Sequence, residues 1–278
     1  MVLNSYAKIN LSLSVNSKLK KKNLHEIQSY YCLIDLCDKI NIRKIKKKND
    51  KIIFQGPFAK HIKKSNNSIA NLLAVLRKLK FISNYYSVKV YKNIPVFSGL
   101  GGGTSNAAFI LRFLLKSKAI KIIDKVEKLI GSDLRLFFYK QGFIENLKTI
   151  KVIKKKQKLF FLLLRPNINC STRKIYSMVK KYSKKNKFSL KKINTKKKFI
   201  NTILTQKNEL QWLVEKKYPI FKKLLADMSA ENGCYFSRMT GSGSVCYGLF
   251  DNESSSKKAL RKIKTKYPNF WLSIAKTV

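Results

Sequence analysis

The chain has 278 residues, 45% of them hydrophobic, which is enough for one large domain or two ordinary ones with a core each. Lys and Arg number 60 against 14 Asp and Glu, a net charge of +46. That surplus fits a polyanionic partner, but it is mostly lysine, runs through every segment and comes with many Ile, Asn, Tyr and Phe, the mixture that AT-rich codons encode. Five cysteines with no C-x-x-C spacing and only two histidines exclude a disulfide framework or zinc site and fit a reducing cytoplasm; the apolar run Leu159–Leu164 is too short to span a bilayer, and the first residues do not read as a signal peptide.

In chain order, Ala7, Ile9, Leu11, Leu13 and Val15 alternate with Lys8, Asn10, Ser12 and Ser14, so the spacing predicts one strand with an apolar face. Lys8 and Asn10 share its other face, as a solvated edge or as two groups aimed into one cleft. Residues 17–24 read as a basic loop, followed by His25 and an apolar stretch from Tyr30 to Ile40. Asn66 and Asn67 can cap a helix carrying Ile69, Leu72, Leu73 and Leu76 on one face. Tyr86, Val88 and Val90 alternate as a strand, and Pro95 follows.

Next comes Gly99-Leu100-Gly101-Gly102-Gly103-Thr104-Ser105-Asn106, which holds four of the 11 glycines. Ala107, Ile110, Leu111, Leu114 and Leu115 then fall at helical spacing. A glycine loop running into a helix N-terminus suits an anion, because free N–H groups and the helix dipole point at it. Thr104 and Ser105 add hydroxyls for capping, phosphate or metal; the alternative is a plain glycine turn capped by Thr104. No Gly-Lys-Ser/Thr follows, so this is not a Walker A loop, and no Rossmann fingerprint is present. Val126, Leu129 and Ile130 close a second helix with Gly131 as its C-cap. Asp133 then serves either as a helix N-cap or as an acid–base group.

The lysine-rich residues 151–158 separate two domains, 1–156 and 157–278. In the second, Leu159–Leu164 is an apolar strand. Ser171 and Thr172 precede a helix bearing Ile175, Met178, Val179 and Tyr182, and Lys180–Lys198 reads as a solvated linker. Asn208 starts a further helix, and Pro219 suits the first turn of the next. Met239-Thr240-Gly241-Ser242-Gly243-Ser244 feeds the apolar strand Val245–Phe250, as a plain hairpin or as a turn presenting N–H and hydroxyl groups to a substrate. A helix around Ala259–Ile263 and a strand around Phe270–Ile274 end the chain.

Ser5–Leu11, Gly99–Ala108 and Met239–Ser244, in this order, resemble the three signature motifs of the GHMP kinases. The triple glycine before Thr-Ser-Asn-Ala-Ala and the run Gly131-Ser132-Asp133 are similar to the branch acting on a cytidyl diphosphate of methylerythritol. The resemblance implies an α/β fold of two lobes with mixed sheets, helices and an active site between the lobes. It implies that ATP with Mg2+ phosphorylates the 2-hydroxyl of that small-molecule substrate on the non-mevalonate route to isoprenoid precursors. The enzyme would be cytoplasmic, a monomer or weak homodimer, with no specific nucleic acid and no membrane as partner.

On this resemblance Asp133 would take the hydroxyl proton and Lys8 would orient the hydroxyl. Asn67, Pro95, Gly99, Leu100, Gly101, Gly102, Gly103, Thr104 and Ser105 would hold ATP, with Ser105 reaching the metal. Asn10, His25, Thr172, Tyr176, Gly241 and Ser242 would hold the substrate, His25 at the cytosine edge and Tyr176 stacked on the ring. Three features depart from the family's pattern. Phe97 and Ser98 stand where it has small residues. Leu24 replaces the aromatic before the cytosine-reading His and removes one side of the expected stack. Arg135 replaces a proline, where a cation would weaken Asp133 as a base or meet a phosphate. Another GHMP small-alcohol kinase and a basic RNA-binding protein on a kinase scaffold remain open as alternatives.

Overall fold

Alternating β-branched and aromatic positions build the strands, and one of them is unusually long. A computed structural model describes residues 2–19, 24–63, 65–186 and 193–278. Strand β3, Leu24–Ile45, runs for 22 residues and supplies both compact units of the chain. The first unit comprises Met1–Lys8, Leu36–Val96 and Gly101–Tyr139; the second comprises Ile9–Asp35, Phe97–Leu100 and Lys140–Val278. The units interleave along the chain, whereas a division at 156/157 follows the sequence. A single strand serving both cannot be cut by a composition change.

In the first unit, β5 (Tyr85–Tyr91) lies between β4 (Lys51–Gln55), to which it is parallel, and the far half of β3, to which it is antiparallel. Strand β1, Val2–Asn10, also pairs with β3. Helix α1, Ser68–Lys78, buries Ile69, Leu72, Leu73 and Leu76, the face its spacing predicts. Asn67 caps it, accepting from the Ile69 and Ala70 amides at 3.1 and 3.0 Å. Helix α2, Gly102–Leu115, buries Ala107, Ala108, Ile110 and Leu111, with Leu114 and Leu115 half-buried. After the short α3 (Lys118–Lys121), α4 (Ile123–Ile130) ends at Gly131, whose N–H bonds to the Glu127 carbonyl.

In the second unit, the near half of β3 pairs with β2 (Ser14–Leu19) and β6 (Gln141–Ile144), and β6 pairs with β7 (Ile150–Val152). A separate antiparallel sheet has the order β11 (Trp271–Lys276), β8 (Phe160–Arg165), β10 (Cys246–Phe250), β9 (Cys234–Met239). Phe161, Tyr247, Leu249 and Phe250 form its buried core with Phe221 and Met228 of α8, Ile220–Ser229. Helix α9, Glu253–Lys266, and the shorter α6 (Lys196–Leu204) and α7 (Gln211–Lys217) complete the unit.

Three expectations are corrected. The alternation from Ala7 to Val15 is two strands rather than one: β1 stops at Asn10 and β2 begins at Ser14. Residues on both faces, Lys8, Asn10 and Ser12 included, are buried. The helix expected to reach Tyr182 is α5, Thr172–Ser177, so Met178, Val179 and Tyr182 lie beyond it. Part of the basic loop 17–24 is strand, since Lys18 pairs with His25 and Leu19 with Leu24; residues 20–23, and 187–192 of the Lys180–Lys198 segment, lie outside the described residues.

Candidate active site

Strand alternation carries Lys8 inward on β1, where it is 4% exposed. Its ammonium lies 3.5 Å from an Asp133 carboxylate oxygen. Asp133 precedes a 3-10 turn, Leu134–Phe138, but its side chain makes no capping bond, so the N-cap reading is corrected. Its side chain keeps 35% of its exposure, leaving a lone pair open to a reactant. Arg135, expected to disturb Asp133 or meet a phosphate, is instead taken up by Asp124 and Glu127. Its Nε–Glu127 bond is 3.2 Å, and these carboxylates raise its pKa against the desolvation that lowers it.

The glycine loop abuts this pair. Gly101 is the residue before α2, with φ +71°; a Cβ there would lie 2.9 Å from Phe137 Cζ and 3.4 Å from Lys8 Cε. Only glycine lets the lysine stem pass so close while the backbone turns left-handed. The first intrahelical bond runs from the Ser105 amide to the Gly101 carbonyl at 2.8 Å, and α2 has no side-chain cap. Thr104 is therefore the third residue of the helix rather than its cap, and the Gly102, Gly103 and Thr104 amides face its N-terminal end. An anion is stabilised there by the amides and the helix dipole together. Ser68, at the start of α1, joins this end: its hydroxyl would be 3.1 Å from a Cβ on Gly103. Asn67, expected near ATP, immediately precedes Ser68, which the sequence analysis did not single out. Asn67 is a cap, and Pro95 is buried in the segment before the loop.

Ser105, assigned to a metal, is fully buried; its hydroxyl donates to the Tyr6 carbonyl at 2.6 Å and lies 2.7 Å from the Ser5 hydroxyl. Among the described residues no group of three or more His, Cys, Asp or Glu could hold a metal. The donor set does not fit a protein-held ion.

The second unit gathers the other named residues. The Asn10 side chain donates to Ser29 Oγ at 2.8 Å, and its amide donates to Thr240 Oγ1 at 2.9 Å. The segment before the glycine loop docks on the third motif: the Ser244 and Val245 amides donate to the Phe97 and Ser98 carbonyls. A Cβ on Gly99 would collide with the Thr240 carbonyl oxygen, so no side chain fits there. Leu100 is fully buried. Asn208 fixes the turn by donating to the Met239 and Gly241 carbonyls at 2.7 and 2.8 Å. The Ser242 and Thr172 hydroxyls are 2.9 Å apart. His25 stacks on Tyr176 with ring centroids 5.1 Å apart, and Tyr182 lies 6.2 Å from His25. Leu24 is exposed. The family resemblance pointed to a missing aromatic at Leu24; nothing in the sequence showed that Tyr182, outside its helix, stands beside His25. Burial, and after it the Lys18 charge, lowers the His25 pKa, so the ring is neutral at neutral pH.

The chain is similar to known proteins along its whole length. Residues 66–132 match the GHMP kinases N terminal domain and residues 195–269 the GHMP kinases C terminal model. A "4-diphosphocytidyl-2-C-methyl-D-erythritol kinase" of Pelagibacter ubique (strain HTCC1062) is 36% identical over 99% of this chain and 98% of its own. The chain belongs to the 4-diphosphocytidyl-2-C-methyl-D-erythritol kinase family. A member from Anaplasma marginale (strain Florida), bearing the same kinase name, is 30% identical over 97% of this chain and 94% of its own. The fold is that of a solved 4-(cytidine 5'-diphospho)-2C-methyl-D-erythritol kinase, with TM-score 0.75 at 19% identity and 99% of each chain covered. A homoserine kinase from Cytophaga hutchinsonii shares it at TM-score 0.71 and 16% identity, covering 100% of this chain and 93% of that one. No helix among the described residues is long and apolar enough to cross a membrane.

Proposed function

We propose that the chain transfers the γ-phosphoryl group of ATP to the 2-hydroxyl of 4-diphosphocytidyl-2-C-methyl-D-erythritol, on the non-mevalonate route to isoprenoid precursors. The observation that carries this is the Lys8 ammonium 3.5 Å from Asp133, packed against Gly101 at the start of α2. Phosphoryl transfer is mostly positioning and charge stabilisation, so it wants amide donors, a cation and one base. The Gly102–Thr104 amides hold the phosphates. Asp133 accepts the hydroxyl proton as the alcohol oxygen bonds to the γ-phosphorus and the bond to the ADP oxygen breaks. Lys8 orients the hydroxyl and offsets the charge on the transferring group. His25, neutral and set against Tyr176, reads the cytosine edge, with Thr172 and Ser242 beside the third-motif turn. Magnesium would arrive with ATP and would offset phosphate charge.

The reading places the enzyme in the cytoplasm, acting on a small molecule as a monomer or weak homodimer. Five free cysteines, three of them buried, suit that compartment. Nucleic-acid binding by a chain of net charge +46 is electrostatic and falls steeply with salt. The test is ADP release by the purified chain with Mg-ATP, with and without the cytidyl substrate, and with homoserine and mevalonate as controls. Release dependent on the cytidyl substrate supports the reading; equal release with a small alcohol overturns the substrate assignment.

A further inference from the structure

The first unit contains a buried charged pair that the chemistry above does not use. Lys92, just past β5, is 1% exposed, and its partner Asp38, on β3, is 0% exposed. Every polar atom of the pair is engaged, and each bond leads to the glycine-loop end of the unit. Asp38 Oδ1 accepts from the Asn93 and Ile94 amides at 2.8 and 2.9 Å, which fixes the segment running toward the loop. Its Oδ2 accepts from Lys92 and, at 2.9 Å, from Asn106 Nδ2 on the second turn of α2. Lys92 also donates to Asn106 Oδ1 at 3.1 Å. Asn106 donates on to the Ser5 hydroxyl at 3.0 Å, and Ser5 meets Ser105 at 2.7 Å. Lys92 Nζ further lies 3.4 Å from where a Cβ of Gly102 would stand, directly under the first helical residue of α2.

Stability alone is a poor account of this arrangement. Two charges lose their hydration on burial, and a neutral, well-packed replacement is often as stable as the pair. Burial holds the Lys92 ammonium below its ordinary pKa, with Asp38 opposing, which is the signature of that cost. What an apolar filling does not supply is directional bonding to Asn93, Ile94 and Asn106 at once. A network satisfied at every member fixes one geometry.

We propose that the Lys92–Asp38 pair, acting through Asn106, is a positioning device that holds the N-terminal end of α2 in its phosphate-accepting geometry. The proposal rests on the reading that ATP phosphates bind at that end. Lys92 and Asp38 are positioning residues: neither reaches the reactants, and they set ATP affinity rather than the chemical step.

The experiment is the double variant Lys92→Met/Asp38→Asn in the full chain. Both charges go, and the amide introduced at position 38 keeps an oxygen for the Asn93 and Ile94 amides, while its NH2 replaces the oxygen that accepted from Asn106 Nδ2, so the link to Asn106 is broken. The variant is expected to unfold within a few degrees of wild type. Its KM for ATP should rise about tenfold or more, with kcat at saturating ATP and KM for the cytidyl substrate within about threefold. A folded double variant with wild-type ATP KM overturns the proposal, and so does one in which kcat falls while ATP KM does not. The neutral variant Asn106→Ala, which leaves the ion pair intact, decides the matter if the double variant does not fold: a raised ATP KM supports the proposal, and an ATP KM within about twofold of wild type overturns it. Binding of a fluorescent ATP analogue with no alcohol present reads the same weakening even if the cytidyl substrate proves wrong, so the two failures are told apart.

Discussion

Replacing Asp133 by Asn tests the catalytic assignment most directly, because the structure separates what the change does to chemistry from what it does to stability. Asn has the shape of Asp but is no proton acceptor at any working pH. Losing a general base costs about 10²–10⁴ in kcat, or about 3–5 kcal/mol in the barrier. The stability side is much smaller. Asp133 keeps 35% of its side-chain exposure, so its ion pair with Lys8 is screened by water and is worth about 1 kcal/mol or less. Asn Oδ1 still offers the buried Lys8 an acceptor, and there is no capping bond to lose at the 3-10 turn. In a chain this long about 1 kcal/mol moves Tm by about 2–4 °C. The assay is ADP release under saturating ATP and cytidyl substrate, with thermal unfolding of the same preparation. ATP KM should stay near wild type, since the Gly102–Thr104 amides are untouched. Turnover within a few-fold of wild type would refute the reasoning: Asp133 would then be no more than a partner for Lys8.

Gly101→Ala forces a side chain into a residue at φ +71° and 2.9 Å from Phe137 Cζ, at a cost of about 2–4 kcal/mol from strain and overpacking together. We expect calorimetry to show Tm lower by about 5–15 °C, and kinetics to show a fall in kcat, because the same Cβ crowds Lys8; unchanged Tm and kcat would contradict both. Phe97→Gly acts in the other direction: Phe97 holds φ +53° with 59% of the residue exposed, so glycine should add about 0.5–1 kcal/mol of stability, read as a small rise in Tm. For His25, burial and Lys18 lower the folded pKa below the unfolded value of 6.5, so the unfolded chain takes up its proton first on acidification. The His25 contribution to stability is whole above pH 6.5 and fades below it. The KM for the cytidyl substrate should be flat from about pH 8 to the ordinary histidine pKa and rise only at lower pH, and Lys18→Met should move that rise to higher pH.

Helices with one apolar stripe and a cap were legible from the sequence. Asn67 with Ile69, Leu72, Leu73 and Leu76 gave α1, and Gly131 gave the end of α4. The motif order gave the glycine loop its place before α2, and the alternation around Lys8 put that side chain opposite the apolar residues of β1. What was hidden is non-local. Period-two alternation marks extended chain but not where a strand changes partner, so β1 and β2 read as one. Tyr182 lies beyond α5, and only folding sets its ring beside His25. Arg135 sits two residues from Asp133 in the chain, yet its guanidinium belongs to α4, because Asp124 and Glu127 stand one turn apart on that helix's near face. Lys92 was one lysine among 60 basic residues until Asp38, 54 positions away, supplied its partner.

The acids explain how such a basic chain keeps a site at all. Each of the 14 makes an ion pair or a hydrogen bond. Most answer an exposed lysine or a backbone amide, where another acceptor would serve nearly as well. Among the described residues, only Asp38 and Asp133 answer a lysine that is itself buried, Lys92 and Lys8. These two pairs differ in one respect that bears on the roles proposed for them. Asp38 has no exposed surface and four donors on its two oxygens, so it has nothing left to give a reactant. Asp133 has a third of its side-chain surface open, and its partner Lys8 packs against Gly101, at the start of the proposed phosphate site. Surface lysines can accumulate with little effect on either pair, since charges more than a Debye length away are screened while the pairs themselves are at contact. The charge of the chain and the chemistry of the site are thus set by different residues, and a drift in the first leaves the second intact.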